Sequence, residues 1–266
     1  MINKKIILST LLASTLLVAT EVDLKKDDKL VTHTELGYIQ TDGNTKTKTF
    51  NLDAKVKKGW GKHILDLHLD GQYASDKDTE TKNKYIVELV YDYEFTDRFS
   101  LNYLNGYKSD KFSSFNYQAY TGPGAKYKLI VSPNHNLSLD GNILYSVDDI
   151  ADVEYDSNGD IIEYPNANNT PVATVAEGEN DSYAGYRVKG VYAWQMLENL
   201  KFDQEVSYRG SFKDSKKYFV FSKTAFSSKI SDIFSAGISY KVDYVNEPGD
   251  KEKSDTTLTL NLIVDY

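Results

Sequence analysis

The closing stretch of the chain, Ser254–Tyr266, alternates between apolar and polar residues. Leu258, Leu260, Leu262, Val264 and Tyr266 take the even positions; Thr257, Thr259, Asn261 and Asp265 take the odd ones, with Ile263 the exception. Successive strand side chains point to opposite faces, so this pattern predicts a strand with one apolar and one polar face. The same alternation recurs upstream. Phe50, Leu52, Ala54 and Val56 oppose Asn51, Asp53, Lys55 and Lys57; Tyr85, Val87, Leu89, Tyr91 and Tyr93 oppose Glu88, Asp92 and Glu94. Strands are predicted near 31–40, 45–58, 62–74, 83–95, 98–109, 113–128, 136–147, 182–195, 199–211, 216–229, 233–246 and 254–266. That is about twelve, an even number.

The polar face carries full charges, which leaves two arrangements. A soluble antiparallel fold buries the apolar face and hydrates the charges. A membrane barrel turns the apolar face to lipid and the charges to its lumen. Connection lengths favour the second. Connections at Ser75–Asn83, Ser109–Ser114, Asp148–Asp181 and Asn246–Lys253 are long and polar, and they alternate with short ones near Gly59–Gly61, Thr96–Asp97, Ser132–Asn134, Leu197–Glu198 and Ser231–Asp232. The tight turn Thr41–Asn44 departs from the rule. Aromatic placement favours it too. Trp60, Phe95, Phe99, Trp194, Phe234 and Tyr266 fall on the apolar face near the short turns; Tyr38, Tyr73, Tyr107, Tyr145 and Tyr244 fall on it near the long loops. Amphipathic rings at two heights are the signature of two membrane interfaces. The expected fold is all-β, an up-and-down antiparallel transmembrane β-barrel of about 12 strands.

The N-terminus supplies the address. Lys4 and Lys5 precede an apolar run from Ile6 to Val18, so residues 1–20 read as a secretory signal peptide and 21–30 as a charged linker. The barrel is expected over 31–266, with a long extracellular loop at 148–181, in the outer membrane of a Gram-negative bacterium. Twenty-one Tyr against two Met and no Cys suits strands and interfaces, and excludes a disulfide scaffold or thiolate metal site. A net charge of -8 argues against nucleic acid as a partner. The expected partners are outer-membrane lipid and, through the C-terminal strand, the barrel-assembly machinery; the barrel is expected to be a monomer.

Candidate chemistry lies on the inward face. Asp66, His68, Asp70, Glu88, Asp92, Glu94, Lys126, Lys128, Arg187, Lys189 and Lys223 are assigned to the lumen lining. Acids concentrate on the fourth strand, and bases are expected elsewhere around the wall. Such a lumen either passes small hydrophilic solutes or closes itself with ion pairs. No catalytic, cofactor or metal residues are assigned, and no enzymatic activity is expected. Of the four histidines only His68 sits mid-strand, between Asp66 and Asp70, where an ion pair is the expected role. The 148–181 loop holds ten acidic residues and no Lys or Arg. Glu154-x-Asp156-x-Asn158-Gly159-Asp160 matches half a calcium loop, but position twelve is Pro165. A β-hairpin turning at Asn158-Gly159 is the other reading, with weak cation binding by the loop kept open.

Three motifs carry a resemblance. Gly37-Tyr38 followed by Gly43-Asn44-Thr45, the glycine-rich Tyr120–Tyr127, and Ser254–Thr257 leading into the final strand resemble, in this order, the salt-induced outer-membrane proteins, a domain-of-unknown-function family. The likeness spans about 31–266; the 148–181 insertion departs from it. The resemblance implies an outer-membrane barrel and carries over no reaction or catalytic residue. A heat-modifiable membrane barrel is therefore predicted. Boiled and unboiled samples should migrate differently on a gel, and solubility of the mature chain without detergent would refute the assignment.

Overall fold

The computed structural model describes residues 30–42, 46–166, 168–249 and 251–265. The expected signal peptide and most of the linker lie outside the described residues, as do Gly43–Thr45 and Tyr266. The described chain builds β1 (Leu30–Gln40), β2 (Thr47–Trp60), β3 (His63–Asp76), β4 (Thr79–Glu94), β5 (Phe99–Asp110), β6 (Phe115–Val131) and β7 (His135–Ile150). It continues through β8 (Val153–Tyr155), β9 (Thr174–Ala176), β10 (Asn180–Leu197), β11 (Leu200–Ser211), β12 (Tyr218–Lys229), β13 (Phe234–Val245) and β14 (Ser254–Asp265). Apart from β8 and β9, which pair with each other, every strand joins its chain neighbours in one closed antiparallel barrel, with β7 meeting β10 and β1 meeting β14. The fold is thus a twelve-strand up-and-down barrel.

Closure at the seam is short. β1 runs beside β2 from Leu30↔Lys58 to Gln40↔Lys48. Against β14, among the described residues, it pairs from His33↔Asp265 to Leu36↔Leu262. Side chains reinforce this seam: His33 Nδ1 bonds the Asp265 carboxylate, and Asn261 Nδ2 donates to Glu35 Oε2 at 2.5 Å.

The burial pattern is inverted relative to a water-soluble protein. Along β7, Ser138, Asp140, Asn142, Ser146 and Asp148 are buried, while Leu139, Ile143 and Tyr145 are exposed. Leu104, Phe115, Leu144, Tyr183 and Ile263 form a small set of buried hydrophobics against a much larger set of buried polar and charged residues. The exterior carries Leu258, Leu260, Leu262, Ile238, Tyr240, Val188 and Val206 in a continuous apolar wall. A surface of that extent is stable in lipid and would aggregate in water.

The aromatic residues sort by height on this wall. Near the long loops, Tyr85–Tyr107–Tyr117 and Tyr186–Tyr208–Tyr218–Tyr244 form runs of stacked rings, each pair 5.4 to 6.0 Å apart. Tyr38, Tyr73 and Tyr145 stand exposed on the same wall. At the other end Trp60 stacks on His63, Tyr93 meets Phe95, Phe95 meets Phe99, and His135 stacks on Trp194. Phe234 opens β13 at this rim.

Two connections differ from expectation. The polar Ser75–Asn83 stretch is not a long loop. β3 runs to Asp76 and β4 begins at Thr79, with Lys77 and Asp78 at φ 47° and 67° between them. A turn with both central residues at positive φ matches the right-handed twist of the flanking strands, so a polar run needs no loop to reverse. The long connection is narrower than 148–181, because Asp148, Asp149 and Asp181 belong to β7 and β10. Leu30, assigned to the linker, already belongs to β1.

Leu260 is 66% exposed at the middle of β14. Leu260→Arg is predicted to destabilise the barrel by roughly 2–4 kcal/mol, and Leu197→Arg, at the short-turn rim, by about 0–1 kcal/mol. Reversible unfolding in lipid by urea measures both, and equal costs would contradict a lipid-facing wall.

Candidate functional site

The interior has two halves. From the short-turn end a cavity of about 340 Å³ reaches down from Pro133 and Asn134 to His68, Glu88, Arg187, Lys189 and Lys223. Asp66, Asp92, Glu94, Lys126 and Lys128 also line it. Asp70 sits beyond it, buried toward the long-loop half, where its carboxylate bonds Lys241.

The cavity wall is a set of matched charges. Lys126 Nζ lies 2.9 Å from Asp92 Oδ2 and 4.0 Å from Asp140; Lys128 Nζ lies 3.3 Å from Glu94; Lys57 Nζ lies 3.2 Å from Asp66. Acids on β4 and bases on β6 were expected on separate parts of the wall. They meet instead over β5, whose inward Ser100, Asn102 and Gly106 are too small to keep them apart. Gly106 is required there: a Cβ would lie 2.1 Å from the Tyr120 ring.

Deeper in, the pairs span the lumen. Arg187 Nη1 on β10 reaches Glu88 Oε1 on β4 at 3.1 Å, and Lys55 Nζ on β2 reaches Glu205 Oε2 on β11 at 3.7 Å. Lys189 Nζ holds the other Glu205 oxygen at 2.6 Å. Lys223 Nζ on β12 lies 2.6 Å from Glu35 and 2.8 Å from Asp53, across on β1 and β2. Lys241 bridges Asp70 and Asp53. Asp243 on β13 takes Lys84, and Lys108 from the opposite side of the barrel at 3.5 Å. Lys84 is fully buried. Each lysine stem packs across the lumen while its head meets a carboxylate. These layers cross the centre of the barrel.

The long-loop half is closed by aromatic rings as well. Tyr120 donates its hydroxyl to Glu88 at 2.6 Å, and Tyr183 donates to Asp148 at 3.0 Å. Phe115 meets Phe219 edge to face at 6.0 Å. Above them the loops interlock. Ser114 Oγ donates to the Pro248 carbonyl, the Ala151 amide donates to the Ser114 carbonyl at 3.0 Å, and Phe112 packs on Tyr164.

His68 pairs with Asp53 at 3.1 Å, across on β2, rather than with the neighbouring Asp66 or Asp70. Asp53 is the diagonal neighbour of His68, one pair along from Lys55, which stands directly opposite, and a diagonal pair is within reach of a long side chain. Asp53, His68 and Asp70 place ligand atoms within 4.8 Å of one another. The Lys223 and Lys241 ammonium groups already occupy the space between these carboxylates, so the donor set suits lysine better than a metal. In the acidic connection, Asp156 accepts backbone hydrogen bonds from Asp160 at 2.9 Å and Asn158 at 2.8 Å. Those amides hold its carboxyl below the usual carboxylate range. Gly159 adopts φ 85° and Tyr155 bridges to Ile161, so the Asn158-Gly159 turn forms. The longer ladder of β8, however, pairs with β9 rather than with the arm after the turn.

Parity assigned charged residues to the interior; the inward aromatics Tyr120, Tyr183, Phe115 and Phe219 were not among them. Three share parity with charged residues of their own strand, and that was the available signal: Tyr120 with Lys126, Tyr183 with Arg187, Phe219 with Lys223; Phe115 does not, because β6 shifts register between Phe115 and Tyr117.

A family model described as "Protein of unknown function, DUF481" matches residues 34–266. The chain is 25% identical over 233 residues to the uncharacterized protein YdiY of Escherichia coli (strain K12), covering 85% of this chain and 79% of that one. Among solved structures it is similar to the NanC porin, at 12% identity and a TM-score of 0.45, covering 88% of this chain and 97% of that one. It is also similar to the KdgM porin, at 11% identity and a TM-score of 0.39, covering 90% and 99%.

Lys223 is buried between two carboxylates, so Lys223→Met should leave excess negative charge there, with His33 still facing Glu35 and Lys241 and His68 still facing Asp53. A loss of up to about 3–5 kcal/mol is expected, because an uncompensated buried charge is costly. The triple change Lys223→Met, Glu35→Gln, Asp53→Asn should recover most of it in the same urea titration. Persistent loss in the triple variant would mean that packing, not charge, sets the cost.

Proposed function

The chain belongs to DUF481, a protein family of unknown function, and from that premise we propose that it is a non-enzymatic outer-membrane barrel with a narrow, gated passage for small hydrophilic solutes or ions. The observation that carries this reading is the charged cavity that ends blindly on cross-lumen ion pairs. A wall of fixed charges of both signs, with little water to screen them, holds a polar solute that an apolar lumen would reject. The Arg187–Glu88, Lys223–Asp53 and Lys55–Glu205 pairs form the gate. Exchange of partners among neighbouring acids and bases opens it without unpaired charge, since Asp53 and Glu205 each already contact two lysines.

The apolar wall and the two aromatic girdles support residence in the outer membrane of a Gram-negative bacterium, with the short turns in the periplasm. The cavity then faces the periplasm. The barrel meets outer-membrane lipid as a monomer, and its last strand meets the assembly machinery. Its described histidines support a non-enzymatic role: His33 and His68 are held by carboxylates, and His63 and His135 by Tyr91 and Tyr192. A second reading, a permanently closed structural barrel whose acidic loop meets cations or a partner, is favoured by the depth of the ion-pair layers.

Planar-bilayer recording of the refolded protein separates the two. The gated passage predicts brief, low-conductance openings with weak ion selectivity. Glu88→Gln with Asp92→Asn should lengthen the openings and move the reversal potential toward anions. That shift should shrink above about 1 M salt, where the Debye length falls to about 3 Å. Silent bilayers for both proteins, each correctly folded by the gel shift, would establish the closed barrel.

A further inference from the structure

Arg209 differs from every other cation in the closed half of the lumen described above. It is only 8% exposed, and its guanidinium lies 4.6 Å from the Tyr120 ring centre and 4.3 Å from that of Phe219. Both rings cover it, so its N–H edge is what remains to bond. The nearest carboxylate, Asp148, stands 4.0 Å from Nη1, beyond hydrogen-bond reach. Asp148 is also fully engaged. Its Oδ1 accepts from Gln118 at 2.9 Å, and its Oδ2 accepts from Tyr183 at 3.0 Å and Lys217 at 2.9 Å. Arg209 Nη1 is buried without a protein acceptor.

A second such donor stands beside it. Arg187 is the cross-strand partner of Arg209. Its Nη1 donates to Glu88 and its Nη2 to Asn142 Oδ1 at 3.2 Å, while its Nε is buried and also lacks an acceptor. Two like charges placed directly opposite on adjacent strands destabilise a sheet. Leaving a buried N–H of each unbonded adds to that cost. An acceptor shared by both would offset both terms. Guanidinium donors match the oxygens of a carboxylate or phosphate in a bidentate fork, which an ammonium does not.

We propose that Arg209 and Arg187 form a seat for the oxyanion group of a small solute, a carboxylate or a phosphate. The two rings fix the Arg209 plane, so the seat is organised before the solute arrives. The acids near it are Glu88, held by Arg187 and Tyr120; Asp148, held by Gln118, Tyr183 and Lys217; Asp140, held by Asn102; and Glu205, held by Lys55 and Lys189. Each is engaged by its own donors, and so none fills the seat. As a selector of solute class the seat rests on the gated-passage reading, whereas binding at it is measurable without conductance.

Calorimetric titration of the folded protein in detergent, in a zwitterionic buffer, tests it with sodium acetate and inorganic phosphate as probes and sodium chloride as control. One saturable site per barrel is expected for at least one oxyanion, and the tighter of the two identifies the group. Arg209→Lys keeps the charge and loses the fork, and should weaken binding at least tenfold; Arg209→Met should abolish it. Arg187→Lys, with Arg209 intact, should give an intermediate loss. Absence of saturable heat in the parent protein overturns the seat whatever the variants do. So does binding unchanged in Arg209→Met, or chloride bound as tightly as either oxyanion. Binding with silent bilayers would remove the passage and keep the seat; conductance without binding would do the reverse.

Discussion

Charge neutralisation across the lumen is the constraint on which the rest of this structure depends. With its apolar residues turned outward, the barrel has little hydrophobic core to hold opposite walls at a fixed distance. Lysine and arginine side chains that reach carboxylates several strands away do so instead. Replacing one partner leaves the other buried and unpaired, which makes each bond individually costly to break. Because Asp53 takes Lys223, Lys241 and His68 together, the layers form a network rather than a set of isolated pairs. Such a network is rigid when every member is matched and adaptable where an acid has two bases to choose from.

The two faces of the wall solve different problems with one alternation. Outside, residues such as Leu258, Leu260 and Leu262 need only be apolar, since lipid imposes no partner. Inside, each residue must match a specific neighbour. This difference explains what could be read from the sequence. Strand number, the outward positions and the inward charged positions follow from period-two patterning alone, as β4 and β14 illustrate. The partners of those charges do not. Whether Asp92 meets Lys126 depends on the small side chains of β5 between them. Whether His68 meets Asp53 depends on the register of β2 and β3. Register and side-chain reach are properties of the assembled sheet.

The same distinction accounts for the polar stretch between β3 and β4. Polarity there signalled a loop, but Lys82 and Lys84 are polar because they point inward to carboxylates on β14 and β13. In an inverted protein a run of charges is ambiguous between loop and lumen. The Lys77-Asp78 turn shows that only backbone geometry, not composition, resolves the two.

The seam between β1 and β14 carries one more consequence. Among the described residues its ladder spans four pairs, whereas β1 and β2 pair along the whole of β1. The closure is therefore the weakest line of the wall, the staves being joined there by the fewest slats. Thermal fluctuation is expected to part the barrel along this line before any other. A cylinder with one soft generatrix can breathe sideways without unfolding.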